Sequence, residues 1–332
     1  MTIIKLMMKN IVMLGHGAGI KFIIEALLEN PKMGYKVVAV VTHPYAEHIP
    51  DLDMLKSRSD MYGEYGYNIF NIKSDFNIDI FESSDINSIE TINLIKSYHP
   101  EYIISVSCRN IIKSDFLNTF NRKVLNIHTT PLPKYRGRAS DSWMILNGEW
   151  GNELYGCMHF VDEGIDSGDI VAKSFYEVPN KSYPIQIYKV RLDTFKKLII
   201  KGLHNLSNDS FVPEKQKIEE MTVFPRLKTT VDGKLDFEKY NGEELEKFIY
   251  AFGYPHEGAF CYLGKERVHI LEADFFYENC FHPKCYGLIF GRDEVGRYKV
   301  AVKGGYILFK KIEIDSVEVE QRKIFRLGKF LN

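Results

Sequence analysis

The chain has 332 residues, of which 45% are hydrophobic, and a formal net charge of −1 at pH 7. This length is enough to bury a core and a second, smaller unit, and the near-neutral charge supplies no global basic field toward nucleic acid or an anionic membrane. No apolar run approaches the ~20 residues of a membrane-spanning helix, and the apolar start Ile3–Met8 is too short for a signal peptide. We therefore expect a cytoplasmic protein.

Strand-like and helix-like patterns alternate in the first half of the chain. Ile11–Leu14 and Tyr35–Val41 are apolar runs typical of buried strands, and apolar residues recur at helical spacing between them, over 20–27. A second helical pattern, over 89–95, starts near Ser84 and precedes the apolar strand Tyr102–Val106. The repetition predicts an α/β fold with a Rossmann-like, mostly parallel sheet and helices on both faces.

A glycine-rich turn follows the first predicted strand. Gly15 and Gly17 open the first helix, as in dinucleotide-binding folds, but Ile20 stands where the third glycine of that motif belongs. We therefore interpret the glycines as a tight turn between strand and helix, and we do not expect NAD or FAD.

The polar, tyrosine-rich stretch Asp51–Tyr67 is long for a plain connection. Loops of this kind are either functional lids or mobile surface, and the sequence leaves both interpretations open.

The second half of the chain changes character after residue 205. Leu154–Phe160 and Ile170–Tyr176 are strand-like, and Ile185–Leu203 has the pattern of a long amphipathic helix. A polar segment then precedes short alternating runs between glycine-rich turns, which are typical of a small β-rich module. We predict a catalytic domain over 1–205, a linker over 206–224 and a β-rich domain over 225–332.

The five cysteines are odd in number and scattered, which is typical of reduced thiols rather than of a disulfide framework. Cys280 and Cys285 lie on either side of His282. A zinc site needs a fourth ligand and usually a closer cysteine pair, so we predict no metal.

A carboxamide and an imidazole end the strand that begins at Val124. Asn126 and His128 are two residues apart, so their side chains project from the same side of the strand and can act on one atom. An asparagine N–H can stabilise a developing oxyanion, a histidine can move a proton near neutrality, and a carboxylate such as Asp166 can bias that histidine. The three residues have the parts needed for acyl transfer to an amine.

A stiff turn follows this strand. Pro131 and Pro133 restrict the backbone, and Arg136 carries a permanent cation past the candidate site. Arg136 either binds a substrate phosphate or pins the loop to a carboxylate, and the sequence does not decide between these roles.

Two separated blocks resemble the signature of the 10-formyltetrahydrofolate-dependent formyltransferases. They are Asn126–Ala139, which reads NIHTTPLPKYRGRA, and Val161–Ile170, which reads VDEGIDSGDI. The family includes methionyl-tRNA, glycinamide-ribonucleotide and nucleotide-sugar formyltransferases. The resemblance implies that Asn126, His128 and Asp166 are catalytic, and that 10-formyltetrahydrofolate is the co-substrate, without a metal.

The resemblance also implies where the folate and the acceptor bind. The expected folate-binding residues are Val106, Cys108, Ile111, Asp162 and Gly164. The expected acceptor-binding residues are Arg109, Thr130, Arg136, Arg138 and Tyr254.

The acceptor is the open question within this family. Acidic and basic residues are nearly balanced from Met221 onward, which argues against a transfer-RNA substrate. The motifs are most similar to the nucleotide-sugar N-formyltransferases, which act on UDP- or dTDP-linked amino-deoxy sugars for bacterial surface glycans such as lipopolysaccharide. Methionyl-tRNA formylation and formyltetrahydrofolate hydrolysis are the alternatives. We expect neither a nucleic-acid nor a membrane partner, and a homodimer is an open expectation because β-rich terminal modules often supply a dimer contact.

Overall fold

The computed structural model describes residues 8–44, 66–137, 140–278 and 281–332. All of the Asp51–Tyr67 stretch except its last two residues lies outside these ranges. The chain divides into two compact units. The first contains the described residues of Met1–Gly137, Glu153–Glu177 and Lys189–Phe224, and the second contains those of Arg138–Asn152, Val178–Tyr188 and Pro225–Asn332.

A seven-stranded sheet forms the centre of the first unit. Its strands are β1 (Lys9–Gly15), β2 (Tyr35–Thr42), β3 (Asp79–Glu82), β4 (Pro100–Val106), β5 (Val124–His128), β7 (Glu153–Phe160) and β8 (Ile170–Glu177). The strand order is β3-β2-β1-β4-β5-β7-β8; the first five strands are parallel, and β7 and β8 are antiparallel to their neighbours. A short parallel pair, β6 (Arg136–Gly137) with β9 (Val223–Phe224), lies in the same unit. The predicted mostly parallel sheet is confirmed.

The main helices are α1 (Ala18–Glu29), α2 (Ile72–Phe76), α3 (Ile89–Ser97), α4 (Ser114–Thr119), α5 (Ser140–Leu146) and α6 (Pro184–Leu206). Single 3-10 turns cover Pro31–Met33, Ile69–Asn71, Ile218–Glu220 and Pro283–Cys285. None of the helices in the described ranges is long and apolar enough to cross a membrane.

Helices cover both faces of the sheet, as predicted. On one face, Ile95 of α3 and Phe116 of α4 pack into a buried cluster with Val12 and Val124. On the other, α6 lies so close that a Cβ added to Gly202 would meet Sδ of Met158 at 2.3 Å. The strands between these layers are accordingly apolar on both sides.

The helix α3 begins later than the sequence pattern indicates. Asp85 does not start the helix, because its carboxylate accepts from the backbone N–H of Asn87 and closes a turn. Ser88 is the cap, since its hydroxyl oxygen accepts from the N–H of Thr91.

The second unit is built on an antiparallel sheet, so the predicted β-rich module is confirmed. Its strands are β10 (Ala259–Leu263), β11 (Glu266–Tyr277), β12 (Ile289–Arg292), β13 (Tyr298–Val302), β14 (Gly305–Ile314) and β15 (Val317–Glu318). Helices α7 (Thr229–Asp232), α8 (Gly242–Ala251) and α9 (Gln321–Ile324) accompany them. A capping box between Asn241 and Glu244 fixes the start of α8, whose apolar side packs on the sheet.

The segment proposed as a linker, 206–224, falls within the first unit. Its residue Glu214 exchanges two backbone hydrogen bonds with Ile170 at the start of β8. We keep the boundaries 205 and 225 as a proposal.

Candidate active site

The carboxyl-terminal end of β5 carries two polar side chains on one face of the sheet. Asn126 and His128 are partly exposed, although Val124 and Leu125 before them are fully buried. The antiparallel strand β7 places His159 directly opposite Asn126. Residues opposite each other in an antiparallel pair project to the same side, so the three polar groups share one face.

Asp166 approaches this face from the loop between β7 and β8. Its Oδ2 lies 3.9 Å from Nδ1 of His128, and its Oδ1 lies 3.8 Å from Nε2 of His159. Both distances exceed that of a hydrogen bond, so the carboxylate acts on the two imidazoles through its charge. The backbone N–H of Gly137 donates to Oδ2 at 3.3 Å. Asn126, His128 and Asp166 are thus brought together.

The tautomer of His128 follows from its backbone partner. Nε2 lies 2.7 Å from the carbonyl oxygen of Tyr135. A carbonyl oxygen only accepts, so Nε2 carries the proton of the neutral ring and Nδ1 presents its lone pair toward Asp166. At 3.9 Å from Nδ1, the Asp166 carboxylate makes no hydrogen bond to that nitrogen. A proton that arrived at Nδ1 would instead meet the negative charge of Asp166.

His159 is buried and holds Asn126 in place. Its Nδ1 donates to the carbonyl oxygen of Phe160 at 2.7 Å, so Nε2 is left to accept from Nδ2 of Asn126 at 3.1 Å. Burial lowers the pKa of His159 to about 4, although the nearby Asp166 opposes this shift. His159 is therefore neutral near pH 7, and the carboxamide nitrogen of Asn126 must face it.

Sequence reasoning missed His159 because it stands in the apolar run Leu154–Phe160 and resembles a core residue. The only available signal was a polar residue just before the Val161–Ile170 block. Its relation to Asn126 depends on the pairing of β5 with β7, which the sequence pattern does not give.

The turn after β5 is packed within the first unit. Thr130 is 1% exposed, and its hydroxyl donates to the carbonyl oxygen of Tyr135 at 3.3 Å. Arg136 is 6% exposed; its Nη2 donates to Oε1 of Gln216 at 2.7 Å, and its Nη1 contacts Sδ of Met221. Of the two roles left open for Arg136, these contacts favour pinning the loop, although the partners are an amide and a thioether and not the expected carboxylate.

Two family models match this chain over most of its length. The formyl transferase model matches residues 9–201, and the formyl transferase C-terminal domain model matches residues 228–332. The chain belongs to the formyl transferase family. It is a formyl-transferring enzyme, as the sequence motifs predicted.

This formyltransferase is similar to one curated protein in sequence and to two solved formyltransferases in structure. The methionyl-tRNA formyltransferase of Clostridium tetani is 31% identical over 232 residues, which are 68% of this chain and 71% of that protein. The solved N-formyltransferase of Helicobacter canadensis, in complex with folinic acid and dTDP-3-aminofucose, is 19% identical, covers 91% of this chain and 99% of its own, and has a TM-score of 0.63. The methionyl-tRNA formyltransferase structure from Clostridium thermocellum is 20% identical, covers 94% of this chain and 100% of its own, and has a TM-score of 0.53. At these identities the two structures show a shared fold.

Three of the residues proposed to bind folate lie at the end of β4 or just after it. Val106 is 1% exposed and ends the strand, and Cys108 packs against the buried cluster beneath it. Burial raises the pKa of the Cys108 thiol to about 11, which makes it a poor nucleophile. Ile111 is 74% exposed. The segment therefore begins with buried residues and ends with the exposed apolar side chain of Ile111.

The other two, Asp162 and Gly164, shape the loop that leads to Asp166. Oδ1 of Asp162 accepts from the N–H of Gly164 at 3.1 Å and from Oγ of Ser167 at 2.5 Å. A Cβ added to Gly164 would lie 2.0 Å from the same Oγ. Any larger residue at position 164 would disturb this closed turn.

The remaining acceptor candidates belong to different units or lie outside the described residues. Arg109 is partly buried in the segment after β4, and Tyr254, 41% exposed, belongs to the second unit. Arg138 lies outside the described residues. The assignment of all three to the acceptor stays a proposal.

Within the described part of the chain, no group of three or more His, Cys, Asp or Glu side chains is placed to hold a metal ion. Cys280, which was considered with His282 and Cys285 as a zinc site, is not among the described residues. Burial raises the pKa of the Cys261 thiol to about 12 and raises that of Cys157 further. These two cysteines are structural rather than reactive.

Proposed function

We propose that this enzyme transfers the formyl group of 10-formyltetrahydrofolate to the amine of a UDP- or dTDP-linked amino-deoxy sugar, for bacterial surface glycan synthesis. The observation that carries the chemistry is the convergence of Asn126, His128 and Asp166 on one face at the end of β5. When bound, 10-formyltetrahydrofolate supplies the formyl group and leaves as tetrahydrofolate.

The residues present fit a formyl donor. Nδ2 of Asn126 has two protons, and His159 accepts one of them. The second N–H can donate to the formyl oxygen as that oxygen gains negative charge during attack by the amine. Because His159 prevents the carboxamide from turning over, the donor is already oriented before the reaction.

His128 moves the proton in this scheme. Its Nδ1 accepts the proton that the attacking amine loses as the new C–N bond forms, and the Asp166 carboxylate stabilises the resulting imidazolium. The same Nδ1 then returns the proton to N10 of the folate as the old C–N bond breaks. The products are a formamide on the sugar and tetrahydrofolate, with the histidine neutral again.

The folate is proposed to lie along the two segments that border this face. Val106, Cys108 and Ile111 would supply apolar contact on one side. The loop closed by Asp162 and Gly164 would offer backbone groups to the pterin on the other.

The charges of the second unit support a small acceptor. Several basic side chains there are paired with acids, namely Lys181, Arg297, Lys310, Lys311 and Lys323. Binding to transfer RNA depends on cations that can neutralise phosphates, and an acid-paired lysine is less available for this.

One observation favours a second candidate, methionyl-tRNA formylation. The relative from Clostridium tetani is named for that activity and is 31% identical over 232 residues. We keep this function as the competing proposal.

The proposal is tested by tetrahydrofolate formation from 10-formyltetrahydrofolate. The acceptors are a panel of UDP- and dTDP-linked 3-amino and 4-amino deoxy sugars, methionyl-tRNA, and water alone, with wild type beside His128→Gln. Turnover with one sugar that is lost in the variant supports the proposal. Turnover only with tRNA, or formate release without acceptor, overturns it in favour of tRNA formylation or hydrolysis.

A further inference from the structure

The backbone of Asp166 adopts a conformation that a non-glycine residue seldom takes. Its φ of +49° is in the left-handed region, which an aspartate tolerates better than most residues but does not prefer. From the described residues, the carboxylate itself accepts one long hydrogen bond, which the N–H of Gly137 donates at 3.3 Å. The position of Asp166 relative to His128 must therefore depend on contacts to the loop backbone.

Gln216 supplies those contacts. Its Nε2 donates to the carbonyl oxygens of both Asp166 and Gly168, at 2.8 Å each. Its Oε1 accepts from Nη2 of Arg136 at 2.7 Å. Both protons of the amide and its oxygen are thus engaged, and the orientation is fixed because carbonyls only accept and a guanidinium only donates.

The backbone that presents Gln216 is anchored on both sides. Before it, Glu214 exchanges hydrogen bonds of 2.8 and 2.9 Å with Ile170, which follows the Asp166 loop. After it, the N–H of Thr222 donates to the carbonyl oxygen of Pro133 at 3.2 Å. The carbonyl oxygen of Thr222 accepts from the N–H of Arg136, also at 3.2 Å. Residues 214–222, which we call the strap, therefore join the loop that carries Asp166 to the turn that carries Tyr135.

These two connected segments face the two nitrogens of His128. The Tyr135 carbonyl oxygen holds Nε2 at 2.7 Å, and Asp166 faces Nδ1 at 3.9 Å. A shift of the strap would change one distance relative to the other.

We propose that Gln216 is a positioning residue for formyl transfer, which sets the place of the Asp166 carboxylate opposite Nδ1 of His128. It acts through the loop that carries Asp166. This inference rests on the proposed roles of His128 and Asp166. Gln216 lies in the segment 206–224, which composition alone indicates to be a linker.

Two substitutions separate the contacts of Gln216. Gln216→Met keeps the length of the side chain and removes all three hydrogen bonds. Gln216→Glu keeps an acceptor for Arg136 and removes both donations to the loop, so it also serves if the methionine variant does not fold. Lys215→Met is the matched control, because Lys215 is an exposed neighbour on the same strap.

The kinetic test is a double-mutant cycle with Asp166→Asn. We expect Gln216→Met and Gln216→Glu to lower kcat by about 10- to 100-fold with little change in KM for the formyl donor, and Lys215→Met to leave both unchanged. In the Asp166→Asn background the same Gln216 substitutions should have almost no further effect. An equal loss of kcat in both backgrounds would show that Gln216 does not act through Asp166 and would overturn the inference.

A second readout does not depend on the acceptor. Hydrogen exchange of the peptide covering 161–170 should be faster in both Gln216 variants and unchanged in Lys215→Met. If wild type formylates no nucleotide-linked sugar, the proposed function fails and the exchange rates still decide the role of Gln216. Unchanged exchange in both Gln216 variants would overturn the proposed role of the strap in positioning Asp166, whatever the acceptor is.

Discussion

The side-chain amide of Asn126 donates a 3.1 Å hydrogen bond to Nε2 of His159, a buried histidine whose other nitrogen donates to its neighbour's carbonyl oxygen. The contact joins two strands of opposite direction and fixes which end of the carboxamide faces the ring. A residue outside the Asn126–His128 motif thus determines how that motif presents its donor.

His159→Gln should retain this function, because a glutamine can accept from Asn126 and donate to the Phe160 carbonyl oxygen. We expect kcat within about threefold of wild type. His159→Leu leaves the amide of Asn126 without its partner and should lower both kcat and the free energy of unfolding, the latter by about 1–3 kcal/mol. Steady-state kinetics and urea unfolding measure both effects. Equal kcat for the leucine and glutamine variants would show that the contact does not orient Asn126.

The low pKa of His159 should make the free energy of unfolding decrease in acid. Because burial lowers the pKa of His159 from 6.5 to about 4, the unfolded chain binds more protons than the folded one between these pH values. The contribution of His159 therefore falls as the pH is lowered through this window, by on the order of 3 kcal/mol in all. His159→Gln should flatten this dependence in urea unfolding at about pH 7 and about pH 5. A glutamine variant with the same pH dependence as wild type would refute this cause.

Asp166→Asn tests the charge opposite Nδ1 of His128. The amide oxygen can still accept from the N–H of Gly137, so the loop should keep its shape. The imidazolium formed during transfer loses its counter-charge, and we expect kcat to fall about 100-fold with little change in thermal stability. A variant with wild-type kcat would exclude the carboxylate from the proton transfer.

Arg136→Lys separates the two roles that the sequence left open. A lysine cannot reproduce the planar contact with Gln216 from a buried position. If Arg136 pins the loop, the free energy of unfolding should fall by about 2 kcal/mol while KM for the nucleotide sugar stays within about twofold. A large rise in KM without loss of stability would instead identify Arg136 as a phosphate ligand.

The glycine turn after β1 gives a matched pair of backbone substitutions. A Cβ at Gly15, where φ is +117°, would lie 1.8 Å from the carbonyl oxygen of Val106, whereas nothing lies within 4 Å of a Cβ at Gly17, where φ is +86°. Gly15→Ala should destabilise the fold by about 3 kcal/mol or more, and Gly17→Ala by about 1 kcal/mol. Thermal unfolding of both variants checks this; equal effects would mean that backbone strain, and not the contact with β4, explains the glycine.

Asn126 and His128 were predictable as a pair because alternation along a strand is a local rule. The sheet was predictable for a similar reason, since each parallel strand is a continuous apolar run. His159 and Gln216 were not predictable, because their partners lie 33 and 50 residues away in sequence. Their roles depend on strand pairing and loop docking, which only the folded chain specifies.

The burial of Arg136 was hidden for a related reason. An arginine beside proline and glycine residues has the composition of an exposed phosphate-binding turn. Its actual partners, Gln216 and Met221, are supplied by a polar segment that the sequence marks only as a domain boundary.

The choice of acceptor is the central claim, and one comparison tests it directly. The quantity to measure is kcat/KM of the wild-type enzyme for a nucleotide-linked amino sugar and for methionyl-tRNA, in one preparation and over a series of salt concentrations. We predict a higher value for the sugar, with weak dependence on salt. A higher value for tRNA that falls steeply with salt would contradict the account and assign the enzyme to tRNA formylation.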